Sequence, residues 1–260
     1  MKELFITATD TDAGKTFVSC ALIYALSQQV NSLTKRQCKV AAFKPVSAGC
    51  ELVKEQLINE DAKLLSEFAN CGQSIQNINP IAFEEAIAPH IAAKKHNKKI
   101  TITEISKYYQ SVKAAAKSVD VDYILTEGAG GWRLPLGSSS QESKSDSSNY
   151  QFLSDFAIAE QHQVILIVNM KLGCLNHALL TFETIKADGL TCIGWVANCA
   201  SEISMSNLNE NIDELEQLLP IPKIAQFNFI ADVDEQGNKI SFIDKIKQVA
   251  SKINLAPIVS

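Results

Sequence analysis

Near its amino terminus the chain sets two short, mostly apolar runs around a longer one. Glu3–Ala8 (ELFITA) and Val40–Lys44 (VAAFK) have the length of strands, and Phe17–Val30 between them has the length of a helix. Strand, helix and strand in that order form a βαβ unit, whose crossover makes its two strands parallel. Three later runs, Asp122–Thr126 (DYILT), Val164–Asn169 (VILIVN) and Cys192–Asn198 (CIGWVAN), are apolar on both faces, as parallel strands covered by helices must be. Before the last of these, Asn176–Gly189 carries Ala178, Leu179, Phe182 and Ile185 on one helical face and ends on Gly189, a helix stop. The pattern predicts an α/β fold with a doubly wound, mainly parallel sheet flanked by helices.

With 260 residues, 46% of them hydrophobic, the chain has material for one large core, and a single domain over 1–260 is expected. In GSSSQESKSDSSN (137–149) seven of thirteen residues are serine and none is apolar, so that segment is expected to be a flexible loop. Lys+Arg 24 against Asp+Glu 29 gives a net charge of −5, which lacks the basic footprint of a nucleic-acid partner. A run of about 18 apolar residues and a secretory leader are both missing, so the expectation is a cytoplasmic protein with no membrane contact. Seven cysteines at 20, 38, 50, 71, 174, 192 and 199 form no CxxC pair, which suits core positions in a reducing compartment.

The turn into the first helix, Thr7–Thr16 (TATDTDAGKT), ends in Gly14, Lys15 and Thr16. In a phosphate-binding loop of this kind, backbone N–H groups and a helix start surround phosphate oxygens, lysine bridges the terminal phosphates and the next hydroxyl binds Mg²⁺. The usual spacing asks for glycine at Thr9, and a variant one residue longer asks for it at Ala8. Neither is glycine. The substitution is harmless if Ala8 ends its strand at negative φ and costs roughly 1 kcal/mol otherwise, so negative φ is expected.

FITATDTDAGKT, FKPVSAG, NEDAKLL, NPIAFEEAIAPH, TEGAGGW, KLGCLNHALLT and GWVAN follow one another in the order and spacing of the dethiobiotin synthetase family, which the chain resembles over about residues 4–230. The resemblance implies a P-loop NTPase fold, ATP and Mg²⁺, and a homodimer with the substrate site at its interface. It also implies the ring closure of 7,8-diaminononanoate (7,8-diaminopelargonate) with CO₂. A diamine and CO₂ give a carbamate whose oxygen leaves poorly, so the γ-phosphoryl of ATP is needed to activate it before the second amine attacks.

Carried over to this sequence, Lys15, Lys44 and Thr11 are the catalytic residues. Asp12, Ala13, Gly14, Lys15, Thr16, Phe17, Glu127 and Asn198 hold the nucleotide, with Asn198 reading adenine. Thr16, Asp61 and Glu127 are the Mg²⁺ ligands, and Thr11, Lys44, Ser47, Gly130, Gly173, Cys174 and Asn176 meet the substrate. Each has an ordinary reading as well: a solvated acid for Asp61 or Glu127, a snorkelling strand-end lysine for Lys44, a strand-terminating amide for Asn198. Lys44 ends the second strand, where the ligand crevice of an open sheet lies, and Gly173–Asn176 opens a helix whose N–H groups attract an anion. The chain departs from the family pattern at Ala8, at Asp12 and at Ala48, where the hydroxyl stands one residue earlier on Ser47. It departs again in IAQFNF after LPIP (219–222), on the adenine side.

Two other classes fit part of this pattern. A partner- or membrane-regulated switch ATPase of the same lineage would use an amphipathic C-terminal helix, and FIDKIKQVASKI aligns Phe242, Ile243, Ile246, Val249 and Ile253 on one face. Packing against the sheet is the ordinary use of such a stripe. The extra early loop lysine of those ATPases is missing from TDTD. A non-catalytic nucleotide sensor would keep the fold and lose the reactive side chains, whereas Lys15, Thr16, Lys44, Asp61 and Glu127 are all present.

Overall fold

The computed structural model describes residues 1–138, 150–234 and 236–259, so most of the serine-rich 137–149 segment lies outside the described residues. The chain runs through β1 (Lys2–Ala8), α1 (Lys15–Ser27), β2 (Val40–Phe43), β3 (Val46–Ser47), β4 (Glu51–Val53), β5 (Gln56–Ile58), α2 (Glu60–Phe68) and α3 (Ile75–Ile78). It continues with β6 (Ile81–Ala82), α4 (Pro89–Lys95), α5 (Ile102–Ser118), β7 (Tyr123–Glu127), β8 (Pro135–Ser138), β9 (Tyr150–Phe152) and α6 (Leu153–Ala159). The last third comprises β10 (Gln163–Asn169), α7 (Cys174–Ala187), β11 (Cys192–Asn198), α8 (Leu208–Leu218), β12 (Lys223–Phe227), α9 (Phe242–Ala250) and α10 (Ala256–Val259).

Six strands form one parallel sheet in the order β12-β11-β10-β1-β7-β2. Alternate residues feed two cores, because successive strand side chains point to opposite faces. Phe5, Val164, Leu166, Val168, Trp195 and Ala197 join α5, α6, α7 and α8 on one face. Leu4, Ile6, Ile165, Ile167 and Val196 join α1, α2 and α9 on the other. The expected doubly wound α/β architecture is therefore present.

Helix α1 is buried around most of its girth, from Val18 through Ile23 and again at Ala25 and Leu26, because the sheet, α2 and α9 enclose it. The C-terminal stripe packs on α1, inside the core that α1 shares with the sheet: Ile246 and Val249 are buried there, and the Phe242 ring meets Phe17 edge-on at 6.0 Å. Among the described residues no helix is long and apolar enough to cross a membrane. The seven cysteines are free thiols.

Strand β2 lies at one end of the sheet, and side-chain amides satisfy its outer edge. Asn70 accepts from Val40 N–H at 2.7 Å and donates to the Cys38 carbonyl at 3.0 Å. Gln73 accepts from Ala42 N–H at 2.8 Å and donates to the Ala42 carbonyl at 3.0 Å. At the opposite end, β12 adds a strand that the sequence pattern did not announce.

Candidate active site

All six parallel strands end on the same edge, and the chain there crosses from β1 to α1 on one face and from β10 to α7 on the other. The gap between those two loops is the switch point at which open α/β sheets take ligands. Ala8 closes β1 within the strand and is absent from the positive-φ residues, so the missing glycine carries no backbone strain. The left-handed positions come later, at Asp12 (φ 56°) and Gly14 (φ 76°). A Cβ on Gly14 would collide with the Asn198 amide nitrogen, so glycine is required there for space as well as for φ. Asn198, at the end of β11, donates from Nδ2 to the Ala13 carbonyl at 2.8 Å and braces the loop from below.

Gly14 is the N-cap of α1 and provides no side-chain cap; the first intrahelical bond is Val18 N–H to the Gly14 carbonyl at 3.0 Å. The N–H groups of Lys15, Thr16 and Phe17 therefore stand at the helix mouth, where the dipole favours an anion. The Phe17 ring turns away from the loop to meet Phe227 at 5.9 Å, so only its backbone faces the site. Lys15 bends back along the loop and donates to the Asp10 carbonyl at 3.2 Å.

Register then assembles the charged cluster. Phe43 pairs with Thr126, so the next residues, Lys44 and Glu127, emerge side by side. Lys44 Nζ lies 2.6 Å from Glu127 Oε1 and 2.8 Å from Asp61 Oδ2, and the Thr16 hydroxyl donates to Glu127 Oε1 at 3.0 Å. Asp61 is held by the first turn of α2, whose cap is Asn59 accepting from Ala62 N–H at 3.3 Å. Glu127 is 0% and Lys44 3% exposed, so full charges meet in a region of low dielectric.

Burial alone would lower the Lys44 pKa, but the Glu127 and Asp61 charges outweigh it and hold the ammonium above its ordinary value. For Asp61, burial pushes upward and Lys44 prevails, keeping the carboxyl below the usual range. Lys15 moves down, chiefly through burial; Glu127 opposes the shift and Lys44 adds to it. The two lysines and two acids thus act on one another across a single crevice.

The Thr16 hydroxyl and the Asp61 and Glu127 carboxylates form a hard oxygen set, and Glu127 Oε2 is buried without a hydrogen-bond partner. Those donors fit Mg²⁺, which takes one or two carboxylates and completes its shell with water and phosphate. Among the described residues no group of three His, Cys, Asp or Glu side chains forms a self-sufficient metal site.

The remaining predicted residues lie around this crevice. Thr11 is exposed, and its Oγ1 is 3.8 Å from where a Cβ on Gly130 would stand, so the two loops touch. Ser47 does not reach the cluster: its hydroxyl is buried and donates to Asn79 Oδ1 at 2.6 Å, while Asn79 Nδ2 donates to the Lys44 carbonyl at 2.7 Å. Gly173 is the left-handed cap of α7 (φ 94°), Cys174 is buried and Asn176 exposed, and no hydrogen bond or ion pair among the described residues joins these three to the lysine–acid cluster. Two residues beyond the sequence reading take part. Asn79 ties Ser47 to Lys44, and Asp10 binds Lys171 at 2.5 Å; the one signal for either was an Asn-Pro pair and an acid inside the loop.

A phosphate-binding loop at the switch point of a parallel sheet, with buried lysines and acids beside it, defines a protein of the P-loop NTPase fold. The AAA domain family model matches residues 2–237. An ATP-dependent dethiobiotin synthetase BioD of Pseudoalteromonas translucida is 45% identical over 92% of this chain and 94% of its own length. Its namesake in Alteromonas mediterranea is 42% identical over 95% and 100%. The chain belongs to the dethiobiotin synthetase family. Among solved structures, a ParA family ATPase from Chlorobium tepidum TLS aligns over 99% of this chain and 94% of its own at a TM-score of 0.46 and 14% identity.

Proposed function

We propose that the protein makes dethiobiotin from 7,8-diaminononanoate, CO₂ and ATP, working as a cytoplasmic homodimer. The observation that supports this most is the meeting of Lys15, Lys44, Thr16, Asp61 and Glu127 at the mouth of α1. One amine of the diamine adds to CO₂ and loses a proton, giving a carbamate. Its oxygen takes the γ-phosphoryl of ATP and ADP leaves; the second amine then attacks the carbamate carbon, loses its proton and expels phosphate as the five-membered ring closes. Lys15 and the N–H groups of α1 hold the β- and γ-phosphates, and Lys44 faces the carbamate and the moving phosphoryl group. Thr11 and Gly130 flank the diamine, with Ser47 fixing Lys44 through Asn79. Phosphoryl transfer relies on positioning and charge, which such a cluster supplies.

Thr16, Asp61 and Glu127 would hold Mg²⁺, which supplies further positive charge beside the phosphates. The start of α7, through Gly173, Cys174 and Asn176, receives the substrate's carboxylate from the partner protomer. Phosphate release from ATP and Mg²⁺, measured with and without diaminononanoate and bicarbonate, tests the reading. Turnover that needs both additions is the expected result. Turnover stimulated by lipid or a protein instead would make the chain a switch ATPase, and binding without turnover a sensor. Complementation between Lys15→Ala and Asn176→Ala chains in mixed dimers is expected if substrate bridges two protomers.

A further inference from the structure

Asp10 stands inside a loop built to surround an anion, which is the wrong charge for that place unless something offsets it. Each of its acceptors is engaged. Oδ1 accepts from Thr11 N–H at 2.8 Å, Oδ2 from Lys171 Nζ at 2.5 Å, and its backbone carbonyl from Lys15 Nζ at 3.2 Å. The Lys171 bond is the chief reason its carboxyl sits below the usual range. Lys171 in turn belongs to the tight turn that opens α7: its own carbonyl accepts from Cys174 N–H at 3.0 Å, and Gly173 follows two residues later.

The side chains are 45% and 44% exposed, and exposed pairs contribute about 0–1 kcal/mol, so stability is a poor account of this one. Its position is more telling. β1 and β10 are neighbours whose helices leave on opposite faces; the Thr9 hydroxyl accepts from Asn169 N–H at 3.2 Å where the two strands end, and farther out this ion pair bridges the gap between their loops with charge.

We propose that Lys171 is a positioning residue: by gripping Asp10 it couples the phosphate loop, with Thr11 and Lys15, to the start of α7. This rests on the function proposed above, in which those two segments hold the nucleotide and the substrate's carboxylate. Lys171 neutralises the acid that would repel the nucleotide, and the same bond sets where α7 begins. Order at one segment is thereby passed to the other.

The test compares Lys171→Met, Asp10→Asn and Lys171→Arg. Asp10→Asn keeps an acceptor for Thr11 N–H and loses the charge that Lys171 grips. In ligand-free protein, amide hydrogen exchange should quicken together at residues 10–12 and 171–176 in Lys171→Met and in Asp10→Asn, and stay at the parental rate in Lys171→Arg. Adding ATP should slow exchange at 171–176 in the parent and in Lys171→Arg, and not in Lys171→Met. In turnover, Lys171→Met should raise KM for the diamine about tenfold while kcat changes less than about threefold, with Lys171→Arg restoring it. Parental exchange at 171–176 in both Lys171→Met and Asp10→Asn would overturn the coupling. So would an unchanged diamine KM in Lys171→Met. A parent protein without diamine-dependent turnover would instead sink the proposed function, and the ligand-free exchange would still decide for or against the coupling.

Discussion

Thr126 and Glu127 are consecutive in β7, yet they face two buried polar clusters of opposite character. Thr126 meets His162 Nε2 at 3.3 Å, His162 Nε2 meets the Tyr109 hydroxyl at 3.0 Å, and Tyr109 donates to Glu3 Oε2 at 2.9 Å. Since Tyr109 gives its proton to Glu3, its oxygen accepts from a neutral His162 protonated on Nε2. The charges of that cluster, Glu3 and Lys113, lie at its partly exposed rim, 2.9 Å apart. On the other face Glu127 and Lys44 bury full charges and leave Oε2 without a partner. His162 Nδ1 also lacks one, but an unpaired neutral nitrogen costs far less than an unpaired carboxylate oxygen. The first cluster joins β1, β7 and α5 for the sake of the fold; the second concentrates charge beside the mouth of α1, where the proposed function puts the nucleotide.

Substitutions can break or sharpen that contrast. Lys15→Ala should cut turnover by about 10²–10³-fold with the circular dichroism spectrum of the parent, because its charge is assigned to the transition state. A near-normal rate would remove the crevice from catalysis. Lys44→Ala should also abolish turnover, and it should cost about 3–5 kcal/mol of stability in urea titrations, since Glu127 and Asp61 then lose their shared partner. Adding Glu127→Gln should recover part of that loss.

The rear cluster should respond to pH instead. Burial lowers the His162 pKa from 6.5 to about 4, with Glu3 pulling upward and Lys113 pushing down; Tyr109 on α5 and Thr126 on β7 are its neutral neighbours. The unfolded chain binds the proton first, so this contribution is complete above about pH 6.5 and falls away as pH drops towards 4. The total is about 3 kcal/mol, and a His162→Asn chain should have a correspondingly flatter profile over that window. The smallest effect belongs to Tyr109→Phe, which leaves Glu3 to Lys113 and should cost about 1–2 kcal/mol with an unchanged rate per folded molecule.

Five of the six sheet strands were legible because residues apolar on both faces leave a parallel strand little alternative. β12 was not: Pro220 and Pro222 precede it, and Lys223 and Gln226 interrupt its apolar residues. Helix α1 starts at Lys15 rather than Phe17, since left-handed Gly14 sets the cap, and it stops at Ser27 before the exposed Val30. Lys15, Thr16, Lys44, Asp61 and Glu127 could be named from motifs. That they meet is a property of register and of the α2 cap, which periodicity does not encode. Asp10 and Asn79 gain their roles from partners more than thirty residues away, a separation that no local pattern reports.

The amides that Asn70 and Gln73 lend to β2 leave that margin with few open donors or acceptors for an incoming peptide. A neighbouring molecule therefore finds no template there for extending the sheet strand by strand. Self-association must proceed by other surfaces, and a concentrated solution of the folded chain is guarded at this flank against fibre growth.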